Sequence, residues 1–266
     1  MIKMARFCSL FSSSSGNATF VGTSKSGILI DAGVSAKKLK EALIGRNISP
    51  ESIKGVFITH EHIDHIKAVR VFCSQFGTPV FATKGTLKAL DEEGVLNGKF
   101  PYFVIDEKGA EAGDMIISSF ETPHDSNESC GYRIILPDER KIAVATDIGH
   151  MTDTIRENIR GCDLVMLESN HDIGMLQNGP YPYYLKRRIL SPVGHLSNAD
   201  CAKAAAELVK SGTTRLYLGH LSGENNFPDL AFQESYAAIC ETGAVLSRDY
   251  ILEVNKKEND GGMIRF

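Results

Sequence analysis

The sequence predicts an α+β protein in which two β-sheets pack face to face and helices cover their outer sides. Strand-like runs occur in both halves of the 266-residue chain, and helical runs are interposed between them. Polar residues cluster where the strand-like runs end. The hydrophobic content of 42% is enough for a substantial core at this length.

The first half of the chain is rich in short strands. The first three of them alternate with turn signals, which predicts a β-meander. A helix is predicted over residues 35–45. The predicted strands cover residues 6–11, 18–21, 27–30, 55–59, 79–82, 102–105 and 115–121.

The second half repeats the mixture of strands and helices. Strands are predicted over residues 132–136, 141–145, 163–168 and 215–218. Helices are predicted over 153–159, with Thr152 or Asp153 as the cap, and over 198–210. Because no repeat or low-complexity linker divides the chain, a single domain is predicted over residues 1–255. The charged, glycine-rich segment 256–266 is predicted to be a flexible tail.

Composition restricts the classes of protein to consider. The formal charge of -4 provides no global basic field, so any affinity for nucleic acid must be local. The six cysteines form no CxxC pair, which indicates reduced thiols in a cytoplasmic protein. No segment approaches the ~20 apolar residues of a membrane helix, and the N-terminus is unlike a signal peptide, so no membrane association is expected.

A run of potential metal ligands follows the strand predicted over residues 55–59. It contains His60, His62, Asp64 and His65. Residues two apart on an extended segment point to the same side, so His60 and His62 can face one ion. A turn into a helix can bring Asp64 and His65 toward a second ion. The alternative is the start of a charged helix with solvated histidines.

Neither pair fills a coordination sphere, so further ligands are expected at later strand ends. His124, Asp147 and His220 occupy such positions. A carboxylate has two oxygens, and Asp147 is therefore the natural bridge between two ions. Imidazole and carboxylate ligands suit two divalent ions, either Zn²⁺ or Mn²⁺, and they also accept Fe.

These residues resemble the five metal-site motifs of the metallo-β-lactamase superfamily, which correspond in order to Asp31, His60 to His65, His124, Asp147 and His220. The resemblance implies a four-layer αββα sandwich, with two mixed β-sheets flanked by helices and a dinuclear site at one edge. It also implies that Asp31 supports the ligand loop without binding metal. The short interval between Asp147 and His220 leaves no room for the extra domain of the superfamily's large nucleases.

Two later residues indicate the kind of substrate. Glu168 ends a predicted strand, and its carboxylate can orient His195, which precedes the helix predicted over 198–210. An imidazolium beside a phosphodiester can protonate the leaving oxygen, so both residues are predicted to be catalytic, together with Asp64. The pair is similar to elements of tRNA 3'-processing endonucleases. Alternatively, His195 is a structural neighbour of a helix cap at Ser197 or Asn198.

Two segments are predicted to contact the substrate. The serine-rich loop offers hydroxyl and N–H groups that can cradle a phosphate, although a polar turn explains it equally well. The second segment combines tyrosines with basic residues, which suits phosphates and bases but also a solvated surface. The residues assigned to this role are Ser13, Ser14, Ser15, Asn17, Lys186, Arg187 and Arg188.

The serine-rich loop, the segment from Glu168 to Asp172 and the segment from Gly194 to Asn198 are together similar to the YycJ/WalJ-type subgroup of the superfamily. This resemblance implies a 5'-to-3' exonuclease that binds a 5' end of DNA and releases nucleoside 5'-monophosphates by attack of a metal-held hydroxide. A small-molecule phosphodiesterase, an RNA 3'-processing endonuclease and a non-enzymatic metal-binding module are the alternatives. His150 and His171 are not assigned to catalysis.

Overall fold

The computed structural model describes residues 5–259 and 261–266. Within these residues the chain forms fourteen strands. They are β1 (Arg6–Phe11), β2 (Ala18–Gly22), β3 (Gly27–Ile30), β4 (Ile53–Phe57), β5 (Val80–Ala82), β6 (Tyr102–Val104), β7 (Ala110–Ala112), β8 (Met115–Glu121), β9 (Cys130–Ile135), β10 (Lys141–Ala145), β11 (Leu164–Glu168), β12 (Arg215–Gly219), β13 (Ile251–Val254) and β14 (Ile264–Arg265).

Helices connect many of these strands. The α-helices are α1 (Ala36–Ile44), α2 (Ile63–Ile66), α3 (Val69–Phe76), α4 (Lys84–Glu92), α5 (Asp153–Ile159), α6 (Ile173–Asn178), α7 (Tyr183–Ile189), α8 (Asn198–Lys210) and α9 (Pro228–Cys240). A short 3₁₀ turn spans Pro50–Ser52. Among the described residues, no helix has the length and apolar character needed to span a bilayer.

The strands form two mixed sheets. The first has the order β14-β1-β2-β3-β4-β5-β6, and the second has the order β13-β12-β11-β10-β9-β8-β7. In the first sheet β1 to β3 form the predicted antiparallel meander, while β3 to β6 are parallel. In the second sheet β7 to β10 are antiparallel and β10 to β13 are parallel.

Alternation of side chains along the strands produces the layers of the fold. In β10, Ile142 and Val144 point into the cluster between the two sheets, whereas Ala143 and Ala145 point into a cluster on the outer side. That outer cluster includes residues of α5, α8 and α9. A third cluster joins the outer side of the first sheet to α1, α3 and α4. The predicted αββα sandwich is therefore confirmed.

The end of the chain differs from the prediction of a flexible tail over residues 256–266. Strand β14 pairs with β1, and the amide N–H of Ala5 donates to the carbonyl of Phe266 at 3.0 Å. The N–H of Asn259 donates to the carbonyl of Leu10 at 3.0 Å. The prediction is wrong for the described part of this segment. The charge and glycine content of this segment favour flexibility, but the edge of β1 provides backbone partners that composition does not reveal.

The strand order places several strand ends at one edge of the sandwich. Strand β8 runs in the same direction as β10, because both are antiparallel to β9, and β10, β11 and β12 are parallel. Strands β3 and β4 of the other sheet are also parallel. The segments that follow these strands carry the residues of the candidate site.

Candidate active site

Three residues that follow parallel strands have left-handed backbones. The φ angles are 62° at Asp31 after β3, 58° at Asp147 after β10 and 56° at His220 after β12. A positive φ is uncommon outside glycine and costs free energy, so the surrounding structure must hold these positions. At each position the chain turns sharply as its strand ends.

The first group of candidate ligands consists of His60, His62 and His124. Each offers a nitrogen atom, and these three atoms lie within 4.8 Å of one another. His60 Nε2 and His62 Nδ1 are 3.0 Å apart. His60 is fully buried, and His124 is 7% exposed. Three imidazole nitrogens in this arrangement can share one ion.

The second group consists of Asp64, His65 and His220, whose ligand atoms also lie within 4.8 Å of one another. Helix α2 begins directly after His62 and carries both Asp64 and His65. This single turn redirects the chain, and Asp64 Oδ2 comes to lie 3.5 Å from His65 Nε2 and 3.9 Å from His220 Nε2.

Asp147 lies between the two groups. Its Oδ2 atom is 3.4 Å from His65 Nε2, and its Oδ1 atom is 3.7 Å from His124 Nε2. Asp147 is 2% exposed, so its carboxylate is directed into the site and away from solvent. The structure therefore brings together all seven predicted ligands.

Four of the buried histidines have their second ring nitrogen held by a neighbouring residue. The pairs are His60 Nδ1 with Thr59 Oγ1 at 3.0 Å, His65 Nδ1 with Asp31 Oδ2 at 2.8 Å, His124 Nδ1 with Gly194 O at 3.1 Å, and His220 Nδ1 with Glu168 Oε1 at 2.8 Å. Such partners fix the ring orientation of metal-binding histidines. The Nε2 atoms are consequently the ones that face the interior of the site.

Three buried atoms in this cluster have no hydrogen-bond partner among the described residues. They are His124 Nε2, Asp147 Oδ2 and His220 Nε2. A buried polar atom without a partner is costly, and all three atoms can donate a lone pair to a cation. The donor set contains nitrogen and carboxylate oxygen, which divalent transition metals accept. The residues therefore fit bound divalent metal.

The charges of the cluster oppose the effect of burial. Burial acts to lower the pKa of His220, but the carboxylates of Asp147 and Asp64 outweigh it and raise this pKa to about 10. Burial acts to raise the pKa of Asp147, but the imidazoles of His220 and His65 outweigh it and lower that pKa. The ionised carboxylates thus attract positive charge, which either protons on the imidazoles or metal ions can supply.

Glu168 is a positioning residue, because every oxygen of its fully buried carboxylate is used. Its Oε1 atom accepts from His195 Nδ1 and His220 Nδ1, each at 2.8 Å. Its Oε2 atom accepts from the N–H groups of Ile148 at 2.7 Å and Leu196 at 3.1 Å. Both carboxylate oxygens of Glu168 are therefore occupied and cannot contact substrate. The residue was predicted to be catalytic, and the structure instead assigns it a positioning role. The sequence did not reveal its bond to His220.

His195 lies at the accessible side of the cluster. Its side chain is 15% exposed, and its ring centroid is 5.1 Å from that of His124 and 5.4 Å from that of His220. Because Nδ1 donates to Glu168, the ring must present Nε2 to anything that binds over the cluster. Helix α8 is capped by Ser197, one of the two cap positions considered from the sequence, and its Oγ accepts from the N–H of Asp200 at 3.1 Å.

The serine-rich loop contacts the second group of ligands. Asn17 Nδ2 lies 3.1 Å from His65 Nε2 and 3.4 Å from Asp64 Oδ2. Ser12 Oγ accepts from the N–H of His220 at 2.8 Å, a contact that the sequence did not indicate. The loop is therefore part of the wall of the site.

The remaining serines of this loop differ in exposure. Ser13 is 8% exposed, and its Oγ lies 2.9 Å from Ser15 Oγ. The N–H of Ser13 donates to Asn17 Oδ1 at 3.2 Å. Ser14 and Ser15 are exposed, so their hydroxyl groups are accessible to a ligand.

The basic residues of α7 are placed differently from one another. Lys186 Nζ donates to the carbonyls of Gln177 at 2.9 Å and Gly179 at 2.7 Å, so its ammonium is held by the backbone of a neighbouring segment. The prediction that Lys186 binds substrate is therefore corrected. The guanidinium of Arg187 lies 5.9 Å from the ring centroid of Tyr183, on an exposed surface.

Arg188 is closer to the ligand cluster. Its Nη2 atom donates to Asp125 Oδ1 at 3.0 Å, and that carboxylate oxygen is 3.3 Å from His124 Nε2. The sequence showed Asp125 beside His124 but gave no signal for its pairing with Arg188. Arg188 is thus the basic residue of this helix that reaches the edge of the site.

His150 and His171 lie outside the two ligand groups. His150 Nδ1 bonds the carbonyl of Pro192 at 2.9 Å on the exposed surface. His171 is 1% exposed, and burial lowers its pKa to about 4. His171 is therefore buried and uncharged at neutral pH.

Comparisons with known proteins agree with this geometry. The family described as the beta-lactamase superfamily domain matches residues 27–221. The chain is 38% identical over 228 residues to exodeoxyribonuclease YycJ of Bacillus anthracis and 37% identical over 229 residues to exodeoxyribonuclease WalJ of Streptococcus pneumoniae. Both alignments cover 85% of this chain and 85% of the relative.

The fold has a similar counterpart among solved structures. The metallo-β-lactamase fold protein YhfI from Bacillus subtilis superimposes with a TM-score of 0.74 at 15% identity, covering 99% of this chain and 100% of YhfI. The resemblance predicted from the sequence is therefore confirmed. The chain belongs to the beta-lactamase superfamily, in the family that includes YycJ and WalJ.

Proposed function

We propose that the protein is a metal-dependent exodeoxyribonuclease that degrades DNA from a 5' end and releases nucleoside 5'-monophosphates. The observation that carries the proposal is the position of His195, held by Glu168 beside a cluster of seven buried or half-buried metal-binding side chains. The relatives YycJ and WalJ are named exodeoxyribonucleases, which supports the choice of DNA and of terminal cleavage.

The proposal assigns two divalent ions, Zn²⁺ or Mn²⁺, to the cluster. His60, His62 and His124 would hold one ion, while Asp64, His65 and His220 would hold the other. Asp147 would contact both, because it lies between the two groups. When bound, such ions polarise a phosphodiester and lower the pKa of water so that it can attack phosphorus at neutral pH.

The protein's own contribution is proton transfer and orientation. His195 donates a proton from Nε2 to the 3'-oxygen as the bond between phosphorus and that oxygen breaks. Glu168 stabilises the positive charge of His195 before this transfer, since burial would raise the pKa of Glu168 but His195 and His220 outweigh it and lower that pKa. Asp31 holds the orientation of His65 through Nδ1.

Contacts to the DNA backbone are assigned to the serine-rich loop and to α7. Ser13, Ser14, Ser15 and Asn17 offer hydroxyl and amide groups beside the ligands, and Arg187 and Arg188 offer positive charge. The proposal includes a cytoplasmic location. Its support is that the cysteines of the described residues are free thiols, as is usual in a reducing compartment.

Time-resolved product analysis tests this function. The substrate is duplex DNA with one labelled 5'-phosphate end, incubated with Mn²⁺ or Zn²⁺ and with wild type, His195→Ala or His150→Ala. We expect stepwise release of mononucleotides by wild type and His150→Ala, and its loss in His195→Ala. His150 is the matched control because it is an exposed histidine outside the ligand groups. Absence of DNA cleavage by folded, metal-loaded wild type would reject the proposal.

A further inference from the structure

A cavity of about 380 Å³ lies beside the metal-binding cluster. Three segments form its wall, namely residues 12–15 of the serine-rich loop, residues from 221 to 228 and residues 255–257. The second of these segments starts immediately after His220. The cavity is therefore adjacent to a proposed metal ligand but contains none itself.

The serine-rich loop joins the three segments. Ser12 Oγ accepts from the N–H of His220 at 2.8 Å, and the N–H of Ser12 donates to the carbonyl of Lys257 at 3.3 Å. The segment predicted to be a flexible tail is thus fixed against the loop. This contact places Lys256 and Lys257 in the cavity wall.

The charge of this cavity differs from that of the cavity on the other side of the site. Among the described residues lining it there is no carboxylate, although the whole chain has a net charge of -4. A cavity of about 1010 Å³ beside His124 is lined by Asp106, Glu107, Glu121 and Glu128, with Lys108 as its cation. Because like charges repel, an anionic end of a substrate is favoured on the His220 side.

The cavity also offers an apolar surface. Phe227 lines it and is 61% exposed, so its ring is accessible to a ligand in the cavity. An exposed ring is a platform on which a nucleobase of any sequence can stack. Exposed hydroxyls of Ser14 and Ser15 lie in the same cavity, and its volume is at the small end of the range for ligand pockets.

We propose that this cavity binds the 5'-terminal nucleotide of the DNA, an inference that rests on the proposed function. The terminal phosphate lies against Ser14, Ser15 and Lys257, and the terminal base stacks on Phe227. A cavity that holds one nucleotide places the first phosphodiester over the metal-binding cluster. It therefore makes the protein cleave from an end and release one nucleotide at a time.

Equilibrium binding of a mononucleotide is the direct test. Calorimetric titration of dAMP into Mn²⁺-loaded protein is compared for wild type, Lys257→Glu, Phe227→Ala and Lys99→Glu. Lys99→Glu makes the same change of charge at an exposed lysine outside the cavity. We expect Lys257→Glu and Phe227→Ala each to weaken binding by about tenfold, with Lys99→Glu equal to wild type. Equal affinity in all four proteins would overturn the inference.

A kinetic comparison separates failure of this inference from failure of the proposed function. The value of kcat/KM is measured on DNA with a 5'-phosphate and on the same DNA with a 5'-hydroxyl. Wild type is expected to prefer the phosphate, and Lys257→Glu is expected to lose that preference. If wild type degrades the 5'-phosphate and 5'-hydroxyl substrates with equal kcat/KM, the cavity assignment is wrong and the exonuclease proposal stands. If wild type degrades neither DNA, the exonuclease is rejected, and the dAMP titration alone decides whether the cavity binds a nucleotide.

Discussion

Individual residues with left-handed backbones shape the metal-binding site. Asp31, Asp147 and His220 have φ angles of 62°, 58° and 56°, and each follows a strand that ends at the same edge of the sandwich. Such a backbone costs free energy for residues other than glycine, although aspartate and histidine adopt it more often than most other residues. His220 donates a hydrogen bond to Glu168, and His65 donates one to Asp31, which helps to hold His220 and Asp31 in place.

Asp31→Asn should weaken metal binding while the fold remains intact. The Oδ2 atom of Asp31 lies 2.8 Å from His65 Nδ1, and loss of its charge reduces the orientation and basicity of that imidazole. Asparagine tolerates the left-handed backbone of this position. We expect Mn²⁺ affinity, measured by equilibrium dialysis, to fall by about 10- to 100-fold. Asp91→Asn on the exposed surface of α4 is the control, and equal affinity in the two variants would contradict the role of Asp31.

The loss of activity caused by His195→Ala should depend on the leaving group of the substrate. A general acid matters most when the leaving oxygen is a strong base, as the 3'-oxygen of DNA is, and little when it is p-nitrophenolate. We expect kcat on DNA to fall by about 100-fold or more, and the rate on bis(p-nitrophenyl) phosphate to change far less. Steady-state kinetics on both substrates gives the ratio. An equal loss on both substrates would indicate that His195 acts on metal binding or substrate orientation instead.

At the scale of elements, the structure agrees with the prediction best where the sequence has both a clear apolar period and a capping residue. Helix α1 begins after its Ser35 cap and helix α8 spans the predicted range, because both have a clear apolar period and a cap. Helices α3, α4, α6, α7 and α9 were not predicted. Strand β14 has only two residues, Ile264–Arg265, and no periodic pattern can identify a strand that short.

Phe266→Ala should destabilise the protein through the β14 edge. The ring of Phe266 packs against the core between the sheets and lies 4.6 Å from the guanidinium of Arg215. Loss of this packing and of the cation–π contact should lower the free energy of unfolding by about 1–2 kcal/mol. Urea denaturation measures the change. Tyr184→Ala, at a tyrosine that is 74% exposed, should change it by less than about 0.5 kcal/mol. Equal stability of Phe266→Ala and wild type would show that the C-terminal segment does not pack stably.

At the scale of the whole molecule, positive charge is local and not global. The chain carries 29 basic and 33 acidic residues, so no overall field attracts DNA. Four carboxylates line the cavity beside His124, whereas the cavity beside the serine-rich loop has lysines and no described carboxylate. A polyanion approaching the metal-binding site thus meets opposite charges on its two sides.

The salt dependence of DNA affinity should reflect these local charges. Each side chain that neutralises a phosphate contributes about 1 to the slope of log affinity against log salt concentration. Arg187→Ala should therefore reduce the slope by about 1. Lys186→Ala should leave it unchanged, because that ammonium bonds the carbonyls of Gln177 and Gly179. Fluorescence anisotropy over a salt series measures both. An equal effect of the two substitutions would contradict the assignment of Lys186 to structure.

The sequence alone predicted the αββα fold class and the seven candidate metal ligands that the structure brings together. These follow from local signals, namely strands that end in His60, Asp147 and His220, and the dense run from His60 to His65. A ligand must be of a definite residue type, so its identity is visible before the chain folds. Lys186 looked equivalent to Arg187 and Arg188, because a basic residue shows its charge in sequence but not its partner.

Only the tertiary structure decided which neighbours each side chain meets. The pairing of Glu168 with His195 was predicted, but the second contact of Glu168, with His220, was visible only in the structure. The cavity beside the cluster likewise depends on Lys257, which lies far along the chain from the serine-rich loop that it touches. Such contacts arise when distant segments pack, and no local pattern of charge or hydrophobicity contains them. Local chemistry therefore specified the ligands, and packing specified their orientation and their surroundings.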